Sequence, residues 1–166
     1  MVDYEIRPVR PEDYAGIHAL RIMPGVFESI LGIPSERLQK SLDYLAGLSD
    51  NDHMFTAVTL EEGLVIGTGV LSVYSMPRKR HSGCLGLMVH RDYQQMGVGT
   101  ALMNAIINLA DNWLKLIRLE LTVFTDNSSA IKLYSTFGFE QEGVRRLSAV
   151  KNGAYADEFL MARIRQ

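Results

Sequence analysis

Apolar residues recur along this chain in two rhythms, and the rhythm changes at short turn signals. Spacing of three and four marks helices, and strict alternation marks half-buried strands. Residues 4–8 predict a short strand. Tyr14, Ile17, Leu20 and Ile22 then fall at helical spacing, and Pro11 suits a first turn, so 11–23 predicts a helix. A second helix is expected over 36–48, capped by Ser35. Residues 53–60, 64–76 and 81–89 predict three strands joined by turns at 61–63 and 77–80, hence an antiparallel meander. The strongest helical pattern covers 97–115, where Val98, Ala101, Leu102, Ala105, Ile106, Leu109, Ala110, Trp113 and Leu114 form one apolar face. A strand at 119–124 and a helix at 127–137, ended by Gly138, follow. Strands at 140–150 and 155–164 close the chain around the turn signal Asn152-Gly153. The order β-αα-βββ-α-β-α-ββ predicts an α/β fold, a mixed α+β sheet with helices on its faces.

Only residues 23–34 escape both rhythms. Pro24, Gly25, Gly32 and Pro34 interrupt the apolar Val26, Phe27, Ile30 and Leu31. Such a segment is either a lid over a pocket or a packed connection.

A length of 166 residues suits one domain over 1–166. With 47% hydrophobic and 22% charged residues the chain can build a core without disulfide or metal staples. A net charge of −2 argues against a general nucleic-acid or membrane-surface binder. No apolar run approaches the roughly 18 residues of a membrane span. The first residues lack the basic-then-apolar build of a signal peptide, so a cytoplasmic protein is expected. The single cysteine, Cys84, excludes an intramolecular disulfide and every multi-cysteine metal motif. His18, His53, His81 and His90 have no ligand spacing, so no metal is expected.

Two motifs can carry chemistry. Gln94-Gln95-Met96-Gly97-Val98-Gly99-Thr100 follows a strand and opens the long helix. Its amide N–H groups and the helix dipole suit a pyrophosphate, although a tight strand–helix turn needs the same glycines. The Walker loop fails because no lysine follows Gly99, and the dinucleotide fingerprint fails at Leu102. The second motif begins at Asn127, a good N-cap, and puts Ala130 and Tyr134 one turn apart on one helix face. Small Ala130 would admit a close ligand, and Tyr134 is either a phenol presented to it or a core aromatic.

The order of elements and both motifs resemble the GNAT superfamily of N-acetyltransferases over nearly the whole chain. Gln94, Gly97 and Gly99 match the loop that binds the acetyl-CoA pyrophosphate in that family, with Gln95, Met96, Val98 and Thr100 between and beside them. The resemblance further implies a strand bulge at Leu87, Met88 and Val89 that binds pantetheine and polarises the thioester. It also implies an asparagine near the cofactor, Asn127, and a tyrosine that protonates the leaving thiolate, Tyr134. The segments 111–114, 121–124 and 152–163 look like the bacterial L-amino-acid N-acetyltransferase branch. A basic residue often precedes the first glycine in the family, and here Met96 stands there. An acidic residue is common on the strand before the bulge, and here the place falls to Cys84.

The expected reaction is direct attack of a small-molecule amine on the thioester of acetyl-CoA. The Val89 N–H is the candidate oxyanion donor and Tyr134 the candidate acid. Glu120 is either the base for the amine or an exposed strand carboxylate, and Glu28 could bind the amine. Tyr155 and Asp157 either line the acceptor side or serve strand packing. Cys84 reads as a packing thiol rather than a nucleophile. An L-amino acid is the expected acceptor. The alternatives are a polyamine, a protein N-terminus, or an acyl-CoA-binding module without turnover. The family also suggests a homodimer.

Overall fold

Alternating inward residues assemble the described residues, 2–165 of a computed structural model, into one seven-stranded sheet. The strands are β1 (Tyr4–Pro8), β2 (Asp52–Thr59), β3 (Val65–Val73), β4 (Ser82–Val89), β5 (Arg118–Phe124), β6 (Glu140–Lys151) and β7 (Ala154–Ile164). Their order is β1-β2-β3-β4-β5-β7-β6, and every pairing is antiparallel except β4 with β5. β2–β4 form the expected meander. Asn152 and Gly153 both adopt positive φ, 50° and 80°, as a tight hairpin turn between β6 and β7 demands.

The four α-helices are α1 (Tyr14–Arg21), α2 (Leu38–Ala46), α3 (Val98–Asn108) and α4 (Ser128–Thr136). Period-two alternation sorts the strand residues between two faces. Met54 and Val58 of β2 and Met88 of β4 pack with Ile17 and Leu20 of α1. Ala57 of β2 packs with Val98 and Leu102 of α3, while Leu85, Leu121 and Val123 pack with Met103 and Ile106 of α3 and Tyr134 of α4. The α1–α2 pair and the α3–α4 pair therefore cover opposite faces.

Three expected boundaries shift. The residues at 11–13 form a 3-10 turn before α1. The second helix starts at Leu38 with Arg37 in the cap position, so Ser35 does not cap it. The reason is tertiary: Glu36, in the preceding turn, is committed to Arg21 and Lys40. The long helix ends its α-helical part at Asn108 and continues as a π-helical turn, Leu109–Trp113. Asp111 in that turn is gripped bidentately by Arg163 of β7 at 2.8 Å, and Trp113 is left 76% exposed instead of joining the apolar face.

Candidate active site

The parallel contact between β4 and β5 lasts only three residue pairs, Ser82–Arg118, Gly83–Leu119 and Cys84–Glu120. Beyond them the strands diverge. A cavity of about 440 Å³ opens in the gap, lined by residues 85–89 of β4 and 122–124 of β5. Its size suits a small-molecule site. The edge of β4 is unpaired here and faces the gap. The His90 N–H is spent on the Ile66 carbonyl of the β3 side. One residue back, Val89 must turn its N–H and C=O the other way. The Val89 carbonyl accordingly accepts the Gln94 side-chain amide at 3.1 Å, and its N–H faces the gap.

The glycine loop lies at one end of the cavity. Gln95 and Gly97 sit at positive φ, 60° and 90°, which swings the chain into the first turn of α3. Gly97 tolerates this conformation because it lacks a Cβ. The first intrahelical bond is Ala101 N–H to the Gly97 carbonyl, so the N–H groups of Val98, Gly99 and Thr100 have no intrahelical acceptor. A Cβ on Gly99 would lie 3.2 Å from Leu133 Cδ2, so glycine there keeps α3 and α4 close. Gln94, Gln95, Gly97, Gly99 and Thr100 line the cavity. Val98 contributes only its backbone, since its side chain is 1% exposed in the core. Met96 is 51% exposed and lies outside the lining, because the turn at Gln95 points its side chain to solvent.

α4 closes the same end. Asn127 caps it by accepting the Ala130 N–H at 3.2 Å. Asn127, Ser129, Ala130, Leu133 and Tyr134 all line the cavity. Tyr134 is both things the sequence left open: a ring 6% exposed, tilted against Phe139, and a wall of the cavity. Burial disfavours the phenolate and pushes its pKa up to about 12.

The 26–31 segment completes the wall. Val26, Ser29, Ile30 and Leu31 line the cavity, so the irregular loop covers the pocket, with Val26 2% exposed as its anchor. Gln94 ties that loop to the site by donating to the Gly25 carbonyl at 3.3 Å. Glu28 does not reach in; its carboxylate accepts the Gly25 N–H at 2.8 Å.

Glu120 lies outside the lining, at the closed end where β4 and β5 still pair. It accepts hydrogen bonds from the Tyr74 hydroxyl and from Arg118, which also grips Glu142. Burial would raise its pKa, but Tyr74 and Arg118 outweigh that and hold the carboxyl below its usual range. Cys84, beside it, is pushed the other way by burial and then by the Glu120 charge, so it is a protonated thiol. Tyr155 is 72% exposed, and Asp157 accepts the Leu147 N–H; neither lines the cavity. Glu158 does line it, and at 6% exposure it is a buried carboxylate. Glu158 lies within the 152–163 segment but carries no chemical motif of its own, since its place depends on register: it pairs with Phe124 of β5 and Arg145 of β6. Among the described residues no group of three or more His, Cys, Asp or Glu is placed to hold a metal, and no helix is long and apolar enough to cross a membrane.

The donor set fits acetyl-CoA at one end: free helix N–H groups for an anion, a strand edge for an amide-rich arm, and a phenol within the same cavity. The acetyltransferase (GNAT) family model matches residues 7–139. The chain belongs to the GNAT acetyltransferase family. It is an N-acetyltransferase, 35% identical over 165 residues to the L-amino acid N-acetyltransferase AaaT of Escherichia coli (strain K12), covering 99% of this chain and 100% of that one. Among solved structures, a GNAT-family acetyltransferase from Streptococcus pneumoniae superposes with a TM-score of 0.82 at 25% identity, over 99% of this chain and 100% of that one. Spermidine N-acetyltransferase from Vibrio cholerae, solved with CoA and spermine, shares the GNAT fold with a TM-score of 0.82 at 22% identity, over 98% and 95% of the two chains.

Proposed function

We propose that this GNAT enzyme transfers the acetyl group of acetyl-CoA to the amino group of an L-amino acid. The observation that carries the reading is one continuous cavity bordered by unlike groups. The first turn of α3 opens onto it with free N–H donors, and a buried carboxylate, Glu158, shares its lining with residues of the 26–31 loop. The near-full-length likeness to AaaT supports an amino acid as acceptor.

In this reading the pyrophosphate rests on the first turn of α3, where free N–H groups and the helix dipole favour an anion. The pantetheine arm runs along the open edge of β4. The acceptor nitrogen attacks the thioester carbonyl from the α1–α2 side, and the Val89 N–H stabilises the oxygen as it gains charge. Tyr134 supports departure of the sulfur. With a pKa of about 12 it keeps its proton throughout the working range. Complete transfer to a thiolate of reference pKa about 8.5 is uphill, so the phenol acts chiefly as a hydrogen-bond donor to the departing sulfur.

A polyamine acceptor would call for several carboxylates to hold its cations, and Glu158 is the single Asp or Glu in the lining. CoA release measured against a panel of amino acids, polyamines and short peptides tests the reading. Release with amino acids is expected, and release confined to polyamines or peptides overturns the choice of acceptor.

A further inference from the structure

Glu158 is a charged side chain buried without a counter-ion. Among the described residues no Lys, Arg or His nitrogen lies within 4.0 Å of it, and its side-chain hydrogen bond comes from the Ser148 hydroxyl to Oε2 at 2.5 Å. A buried carboxylate with one neutral donor is costly unless a cation joins it. The chain builds this arrangement deliberately. The β6–β7 register breaks between Arg145 and Ala149, and Leu147 within the bulge takes φ 52°, a left-handed conformation unfavourable for leucine. That bulge brings the Leu147 N–H onto Asp157 and the Ser148 hydroxyl onto Glu158.

Register fixes the direction as well. Glu158 pairs with Phe124, and alternation places both on the α1–α2 face, opposite the face where Val123 packs with Tyr134. Glu158 and Tyr134 thus border one cavity from opposite faces of the sheet. We infer that Glu158 is the counter-ion of the acceptor ammonium and accepts its proton before attack, with Ser148 as the residue that positions the carboxylate. This inference rests on the acetyl-transfer reading of the cavity.

The proton count closes. The ammonium gives one proton to Glu158 Oε1, and the neutral nitrogen forms the C–N bond. The C–S bond then breaks, and the second proton lost by nitrogen balances the thiolate to give the thiol. The Glu158 proton returns to solvent when the amide leaves. The other titratable groups on this side are Arg145 and Lys151 on β6, Glu120 on β5, Cys84 on β4 and Glu28 in the covering loop; Lys151 lies over the Phe124 ring at 4.9 Å but spends its ammonium on Asp126 at 2.8 Å. Of these, Glu120 is committed to Tyr74 and Arg118, and Glu28 to Gly25.

The test is the pH profile of kcat/KM for whichever amine of the panel releases CoA, in wild type, Glu158→Gln and Ser148→Ala, with acetyl-CoA affinity measured by calorimetry. Glu158→Gln should lose about 100-fold or more near pH 7. The deficit should shrink above the amine's own pKa, where no base is needed, and acetyl-CoA affinity should stay within about threefold. Ser148→Ala removes a donor from the carboxylate, so the acidic limb should move to higher pH. A Glu158→Gln deficit that is absent, or constant across pH, overturns the role. Should Glu158→Gln not fold, an unmoved limb in Ser148→Ala overturns it equally. Turnover of polyamines alone would sink the amino-acid reading while Glu158 is judged by the same criteria on that amine. Release with no amine overturns both.

Discussion

At the scale of single residues, Tyr134 and Gly97 carry the sharpest expectations. Tyr134→Phe keeps the ring that packs on Phe139 and removes only the hydroxyl. kcat should fall roughly 10- to 100-fold while acetyl-CoA affinity barely changes, as stopped-flow and calorimetry would register. Because burial holds the phenol neutral to about pH 12, Tyr134 should contribute no basic limb to the rate profile below that point. Gly97→Ala imposes a Cβ on a residue at φ 90°, so acetyl-CoA binding should weaken along with a thermal midpoint drop worth about 1 kcal/mol. Residue identity was also where the sequence spoke most plainly: Gln94, Gly97, Gly99, Asn127, Ala130 and Tyr134 all border the cavity they were expected to form. The carboxylates were harder to read. Glu120 and Glu158 are both strand residues with no local motif, and only strand register separates the one held by Arg118 from the one that meets the cavity.

Elements add a second kind of constraint. The loop over the pocket is pinned where α1 ends, because Arg21 and Lys40 both clasp Glu36. The Arg21 hydrogen bond is the main reason that the Glu36 pKa is lowered from 4.5 to about 2. A depressed carboxylate stabilises the fold above its unfolded pKa and loses that contribution as pH falls through the folded value. The stability lost between pH 5 and pH 2 should therefore include a part on the order of 2 kcal/mol from Glu36. In thermal melts Glu36→Gln should start lower at pH 7 and decline less over that interval. The same commitment explains why a helix expected from 36 begins at Leu38. Periodicity located all four helices, but their ends were decided by contacts that no local window contains. Arg163 on Asp111, for example, joins the π-helical turn to a strand 52 residues later.

For the whole molecule, the decisive feature is that a seven-stranded sheet is joined at its middle by three residue pairs. The amides of Leu87 and Val89 share the orientation that faces the gap, so in the free enzyme they should exchange faster than their neighbours on β3. Acetyl-CoA should protect them, and hydrogen-exchange mass spectrometry of the 85–89 segment would register the change. No such protection would contradict a cofactor arm lying along β4. The meander and the mixed sheet followed from alternation and turn residues. The opening between β4 and β5 did not, because both strands read as continuous and their divergence is a property of the pair.

The cavity wall contains neither lysine nor arginine. A pyrophosphate seated on the first turn of α3 would then be held there by fixed backbone dipoles at short range rather than by cations of the cavity wall. Raising the ionic strength from 0.05 to about 0.5 M, which shortens the Debye length to a few ångströms, should leave the KM for acetyl-CoA within about twofold. This enzyme would then recognise its most highly charged substrate with a contact that electrolyte hardly touches.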